Sequence, residues 1–266
     1  MKKRILFIGF IALLFHACAP ATAQPTPRPT VTVTPTKPCT EQGTIGSDHV
    51  ANPTQGFDNI HFEYYLPPCY DSAKQTRYPV FYLMTLTNEH SLSPTDNTPM
   101  SLAERLIRAG KMPPTIIIVP AQLIGYGSDA ALTKDLVPYV DGKFRTIRDR
   151  KQRATGGISN GAAVAVRMAF QFPDTFSSVG LLSGGLADGE RERFEGWITR
   201  TPPNHWPRVR IDVGKQDGIM PLTQNLLTAL DKHHVPYTLN IGKGDHNWTF
   251  WSTQMESYLL WLAHGE

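Results

Sequence analysis

Short apolar runs fenced by proline alternate along this chain with stretches of helical spacing, and that alternation limits the folds open to it. Residues 79–84 and 116–119 are apolar almost throughout and too short for helices, the pattern of strands buried on both faces. Residues 60–66 alternate in polarity and stop at Pro67-Pro68, as a strand entering a turn would. Further strands are expected at 154–158, 179–182, 208–213 and 237–241, with Gly242 ending the last. Helical spacing recurs at 100–109, 132–144, 162–172, 222–233 and 248–264; Gly110 and Pro173 stop the first and third. This rhythm predicts an α/β fold: a single domain with one open, mostly parallel sheet and helices on both faces. Such sheets bind ligands beyond the carboxyl ends of their strands. Residues 186–207, with Trp197, His205 and Trp206, read as the least regular stretch, either a cap over a site or a long surface loop.

The first 38 residues belong to none of this. Lys2-Lys3-Arg4 followed by eleven apolar residues, 5–15, has the shape of an export signal and is too short to span a bilayer, which takes roughly 20 residues. Ala21-Thr22-Ala23 offers a cleavage site, which would end the signal at residue 23. Cys18 offers another, since a cysteine directly behind the apolar run resembles a bacterial lipoprotein signal (residues 1–18) whose cysteine is lipidated. Residues 19–38 hold six prolines and six threonines, a composition for an extended, disordered linker. The domain is therefore expected at 39–266, exported to the cell envelope or beyond, and touching membrane only through an N-terminal lipid. The whole chain carries a net charge of +3, but five of its 26 basic residues and none of its 23 acids fall in the first 38 positions, so residues 39–266 sum to −2. That excludes the basic surface a nucleic-acid partner requires.

With Cys18 lipidated or removed, Cys39 and Cys69 remain. An oxidising compartment favours their pairing. The bridge would close a loop of about 30 residues, stabilising the fold by roughly 3 kcal/mol on a chain-entropy view.

Residues 157–161 read Gly-Ile-Ser-Asn-Gly, a G-x-S-x-G string between an expected strand and an alanine-rich helix. That context suits a nucleophile elbow, a strained turn that lifts a serine hydroxyl above the sheet. The Asn160 amide, at the helix start, would face a developing oxyanion. Serine needs a base at neutral pH, and the partners follow it in the order acid, then histidine. Asp217 stands in the loop after strand 208–213, and His246 in the loop after strand 237–241. Among competitors, His233 and His234 sit at a helix end, and His90 and His205 in loops without strand context. Asp212 lies inside a strand facing a helix, Asp245 shares the histidine's tight loop, and Asp135 lies on a helix surface. The chain has no H-E-x-x-H, no C-x-x-C and no histidine pair at i, i+4, so neither metal nor other cofactor is expected.

These strings, with others, resemble the esterase D-like family of α/β-hydrolases, which includes feruloyl and acetylxylan esterases, S-formylglutathione hydrolases, enterochelin esterases and mycolyltransferases. The matching segments are 64–70 (YYLPPCY), 78–83 (YPVFYL), 135–141 (DLVPYVD), 153–161 (RATGGISNG) and 172–176 (FPDTF). Residues 182–184 (LSG), 211–214 (IDVG) and 244–251 (GDHNWTFW) complete the set. The resemblance implies an α/β-hydrolase fold, Ser159 as nucleophile, His246 as base and Asp217 as the acid orienting it. It departs in one place. The family carries His-Gly after its second matching strand, whereas this chain reads Met84-Thr85-Leu86-Thr87-Asn88. By likeness the second oxyanion donor is the backbone amide of Leu86 or a neighbour. Removing one such donor can cost roughly 2.7–4 kcal/mol in the transition state.

The expected function is thus an exported serine ester hydrolase acting on a small-molecule or polysaccharide-linked ester. Two other readings share the scaffold: an envelope acyltransferase on the same residues, and a non-catalytic binding protein, motivated by the missing His-Gly. Loops at 88–99, 123–129 and 186–207 would shape the pocket.

Overall fold

Alternation of apolar side chains along the central strands requires two cores, one on each face of a single sheet. The computed structural model of this chain describes residues 39–84, 98–121 and 127–264. Its strands are β1 (Thr44–Asn52), β2 (Phe57–Leu66), β3 (Val80–Met84), β4 (Ile116–Pro120), β5 (Arg153–Ile158), β6 (Ser178–Leu182), β7 (Arg208–Gly214) and β8 (Tyr237–Gly242). They form one eight-stranded sheet in the order β1-β2-β4-β3-β5-β6-β7-β8. β1 pairs with β2 and β2 with β4 antiparallel; every pairing from β4 to β8 is parallel. The helices are α1 (Pro99–Arg108), α2 (Ser128–Ala131), α3 (Val137–Lys143), α4 (Asn160–Gln171), α5 (Arg191–Arg200), α6 (Met220–Lys232) and α7 (Trp248–His264). The mostly parallel sheet with helices on both faces is the expected architecture.

β4 shows how the two cores arise. Ile116 and Ile118 bury into the layer formed with α3 to α6, and Ile117 into the layer formed with α1 and α7. β3 does the same, with Val80, Tyr82 and Met84 on one side and Phe81 and Leu83 on the other. Fully burying a side chain of this size stabilises by about 1.5–3 kcal/mol. β3 is also where the strand order reverses, since β4 lies on one flank and β5 on the other. The crevice at such a reversal, beyond the carboxyl ends, is the natural ligand position.

Three local features differ from expectation. β1 was not expected: its exposed, polar edge carries little apolar signal, and its place comes from pairing with β2. Residues 186–207 are not simply irregular, because α5 fills their middle. Phe194, Trp197 and Ile198 recur at helical spacing and are buried in the main core. The helix expected over 132–144 begins at Ser128 and passes through a π turn, Leu132–Leu136, before α3. Pro138, which has no N–H to donate, follows that turn and gives the helix a reason to widen there.

Cys39 and Cys69 are joined by a disulfide with their Cα atoms 5.9 Å apart. It ties the segment before β1 to the turn after β2. Cys18 and the rest of residues 1–38 lie outside the described residues. Cys69→Ser is expected to lower unfolding free energy by roughly 3 kcal/mol, the loop-closure value for a bridge of this span, in urea titrations.

Candidate active site

The turn after β5 is built by two close backbone approaches. A methyl group on Gly157 would stand 2.6 Å from the Met84 carbonyl oxygen and 2.5 Å from the Gly161 carbonyl carbon. A methyl group on Gly161 would collide with the Met84 carbonyl outright. Only glycine lets α4 start this close to the end of β3. Between them Ser159 adopts φ 53° and ψ −119°, a left-handed conformation that costs a non-glycine residue of order 1–3 kcal/mol. Its N–H donates to the Leu182 carbonyl at 2.9 Å, which fastens the turn to β6. The hydroxyl is thereby lifted beyond the carboxyl ends of the strands.

Two later strand ends bring partners to it. The His246 Nε2 atom lies 2.8 Å from Ser159 Oγ, and its Nδ1 atom lies 2.9 Å from Asp217 Oδ1. The Asp217 side chain is fully buried and that of His246 is 28% exposed. Asp217 is fixed by its own turn: Oδ1 also accepts the Ile219 N–H at 3.0 Å, and its N–H donates to Gly214 O at 3.1 Å. The loop before His246 packs on the loop after β7 through Lys215 N–H to Gly242 O, 2.8 Å, and Gln216 N–H to Gly244 O, 3.0 Å. The His246 N–H donates to Asp245 Oδ1 at 2.7 Å. Asn160 is the first residue of α4, so its N–H belongs to the donors that a helix start leaves without an internal acceptor. Leu86 lies outside the described residues.

Of the competing residues, Asp212, Asp135, His233 and His205 are engaged elsewhere. Asp212 is buried, accepts from Arg210 at 2.7 and 2.8 Å, and Arg210 reaches on to Ser257 of α7. Asp135 accepts from the Thr54 N–H and hydroxyl. His233 faces Glu195 at 3.5 Å and His205 faces Asp174 at 3.0 Å. His90 lies outside the described residues. No group of three or more histidine, cysteine or acidic side chains among the described residues could hold a metal.

Two features of the site had no reading in the sequence. Arg167, on α4, lies 3.7 Å from Asp129 and 3.2 Å from Glu190, tying the start of α2 and the approach to α5 to the nucleophile helix. Glu190 also accepts the Ala187 N–H at 3.0 Å. The second is Trp251, whose indole ring stands edge-on to the His246 ring with centroids 5.1 Å apart. The first joins segments distant in sequence and so leaves no spacing signal; the second lies within five residues, but the ring geometry is not a matter of spacing.

Residues 126–262 match the model of the family Esterase ("Putative esterase"). An endo-1,4-beta-xylanase/feruloyl esterase of Xylanibacter ruminicola is 32% identical over 137 residues, covering 46% of this chain and 19% of that protein. The chain thus matches about a fifth of that relative's length. Among solved structures, a ferulic acid esterase superposes with a TM-score of 0.71 at 19% identity, covering 84% of this chain and 98% of its own. A mutant feruloyl esterase module from Clostridium thermocellum, complexed with sinapinate, gives 0.69 at 18% identity over 86% of this chain and 90% of its own. An S-formylglutathione hydrolase from Staphylococcus aureus gives 0.64 at 18% identity over 84% of this chain and 100% of its own. The shared fold is the α/β-hydrolase fold that the sequence implies.

Gly161→Ala tests the close approach. Pushing α4 away from Met84 should lower unfolding free energy by about 1–3 kcal/mol in urea, as overpacking does.

Proposed function

The chain belongs to the esterase family whose model it matches over residues 126–262, and on that premise we propose that it is an exported serine ester hydrolase working through an acyl-enzyme on Ser159. The observation that carries this reading is the continuous hydrogen-bond chain from Ser159 Oγ through His246 to buried Asp217, at 2.8 and 2.9 Å. Position beyond the strand ends, a strained nucleophile turn and an acid-base-serine chain are what acyl transfer needs together.

His246 Nε2 takes the hydroxyl proton as Ser159 Oγ bonds to the ester carbonyl carbon. Asp217 holds the imidazolium that results. The oxyanion of the tetrahedral intermediate accepts from the Asn160 N–H and from an amide of the Leu86 region. The intermediate collapses by breaking the bond to the alcohol oxygen, which leaves with the proton from His246. Water then gives a proton to His246 and attacks the acyl carbon. Collapse of the second intermediate breaks the bond to Ser159 Oγ, which recovers the proton, and the carboxylic acid departs.

Hydroxycinnamoyl esters are the first substrate class to test, because the similar proteins are named for feruloyl esters and one is complexed with sinapinate. No cofactor enters this chemistry. Acyl transfer to an envelope sugar or lipid would use the same acyl-enzyme with another acceptor in place of water. The export reading places a signal at residues 1–18, or to 23, Cys18 as a lipidated residue, a tether at 19–38 and the hydrolase at 39–266. The Cys39–Cys69 disulfide supports an oxidising compartment. No helix among the described residues is long and apolar enough to cross a membrane.

A fluorophosphonate should label the wild-type chain and leave Ser159→Ala unlabelled; a mutant that still takes the label overturns the assignment. Profiling across acetyl, feruloyl and longer acyl esters should place the highest kcat/KM on feruloyl esters, and a preference for saturated long chains would redirect the substrate class. In a bacterial host, Cys18→Ser should move the protein out of the membrane fraction.

A further inference from the structure

An imidazole held only at its two nitrogens can rock about the line joining them without breaking either hydrogen bond. His246 is in that position, on a largely exposed loop, with Asp217 at Nδ1 and Ser159 at Nε2. Asp217 is the charged side chain on its ring and Asp245 the one on its backbone N–H. Beside the ring stands Trp251. The indole stands at 86° to the imidazole with centroids 5.1 Å apart, and it is itself only 8% exposed.

The indole is in turn anchored. Its Nε1–H donates to Ser183 Oγ at 2.7 Å. Ser183 is fully buried and held at φ 52°, another left-handed conformation at a non-glycine residue. Its N–H donates to Asp212 O at 2.8 Å, so neighbouring β7 holds its backbone. Ser183 directly follows Leu182, whose carbonyl accepts the Ser159 N–H at 2.9 Å. One stretch at the end of β6 therefore grips the nucleophile turn with Leu182 and the ring beside the base with Ser183.

We propose that Trp251 and Ser183 are positioning residues for the reaction: Trp251 fixes the plane of the His246 ring and Ser183 fixes Trp251. This rests on the reading of Ser159, His246 and Asp217 as the catalytic residues. It goes further in assigning a role to two residues outside that hydrogen-bond chain. Misplacing a catalytic group by about 1 Å can cost as much as 100-fold in rate, which sets the scale of the effect.

The test is fluorophosphonate inactivation of the full chain, resolved into a maximal rate and a half-saturating concentration, alongside kcat and KM on one p-nitrophenyl ester. Trp251→Leu should lower both maximal rates between about 10- and 100-fold with half-saturation within about twofold. Trp251→Phe, which keeps an aromatic ring beside the imidazole, should recover part of that loss. A folded Trp251→Leu with wild-type rates overturns the proposal, as does a Phe variant no faster than the Leu one, since bulk alone would then explain the contact. Should Trp251→Leu not fold, Ser183→Ala decides: slower maximal rates at unchanged half-saturation support the proposal, and unchanged rates overturn it. A wild-type chain that takes no label overturns the catalytic reading and this inference together, so the two failures are told apart.

Discussion

The backbone contact between Gly161 and the end of β3 is the constraint on which the site depends. With a side chain at either 157 or 161, α4 could not begin against Met84. Ser159 would then have no reason to stay in a left-handed conformation that its own side chain disfavours. The strain is local, but what holds it is not. The turn is clamped by β3 through close packing and by β6 through the Leu182 carbonyl, both central strands buried on two faces. A rigid sheet thus supplies the energy to keep the Ser159 hydroxyl raised.

The same sheet arranges the partners by a simpler rule. In a parallel sheet every strand ends on the same side, so loops after β5, β7 and β8 must gather there even though they lie far apart in sequence. The β7 and β8 loops also brace each other by backbone hydrogen bonds, which sets the distance from Asp217 to His246 without help from the serine. Burial then divides the labour. Asp217 is enclosed and cannot wander, whereas His246 is partly open and depends on a neighbour for a wall. Trp251 is that wall, carried on the first turn of α7 by the same residues that fill the second core.

Legibility followed periodicity. Strands β2 to β8 each carry a pattern bounded by turn residues, and Ser159, Asp217 and His246 are legible because each stands just past such a strand. β1 escaped notice because an exposed edge strand needs few apolar residues. α5 escaped because only Phe194, Trp197 and Ile198 mark it, among charged residues. The Arg167, Asp129 and Glu190 cluster and the Ser183–Trp251 bond had no pattern to read, since they join segments 23 to 68 residues apart with no regular spacing.

Sequence by itself determined the α/β architecture, the cysteine pair available for bridging, and Ser159, Asp217 and His246 as three residues able to form one hydrogen-bond chain. Those are properties of order and spacing, which a linear string contains. Tertiary structure decided that Gly157 and Gly161 meet Met84, that the histidine plane has an indole beside it, and that a buried serine one residue past β6 anchors that indole. These depend on the distance from the end of β3 to α4 and from the end of β6 to α7, between parts of the chain far apart in sequence. That distance is set by packing of both cores at once, and no local stretch of sequence encodes it.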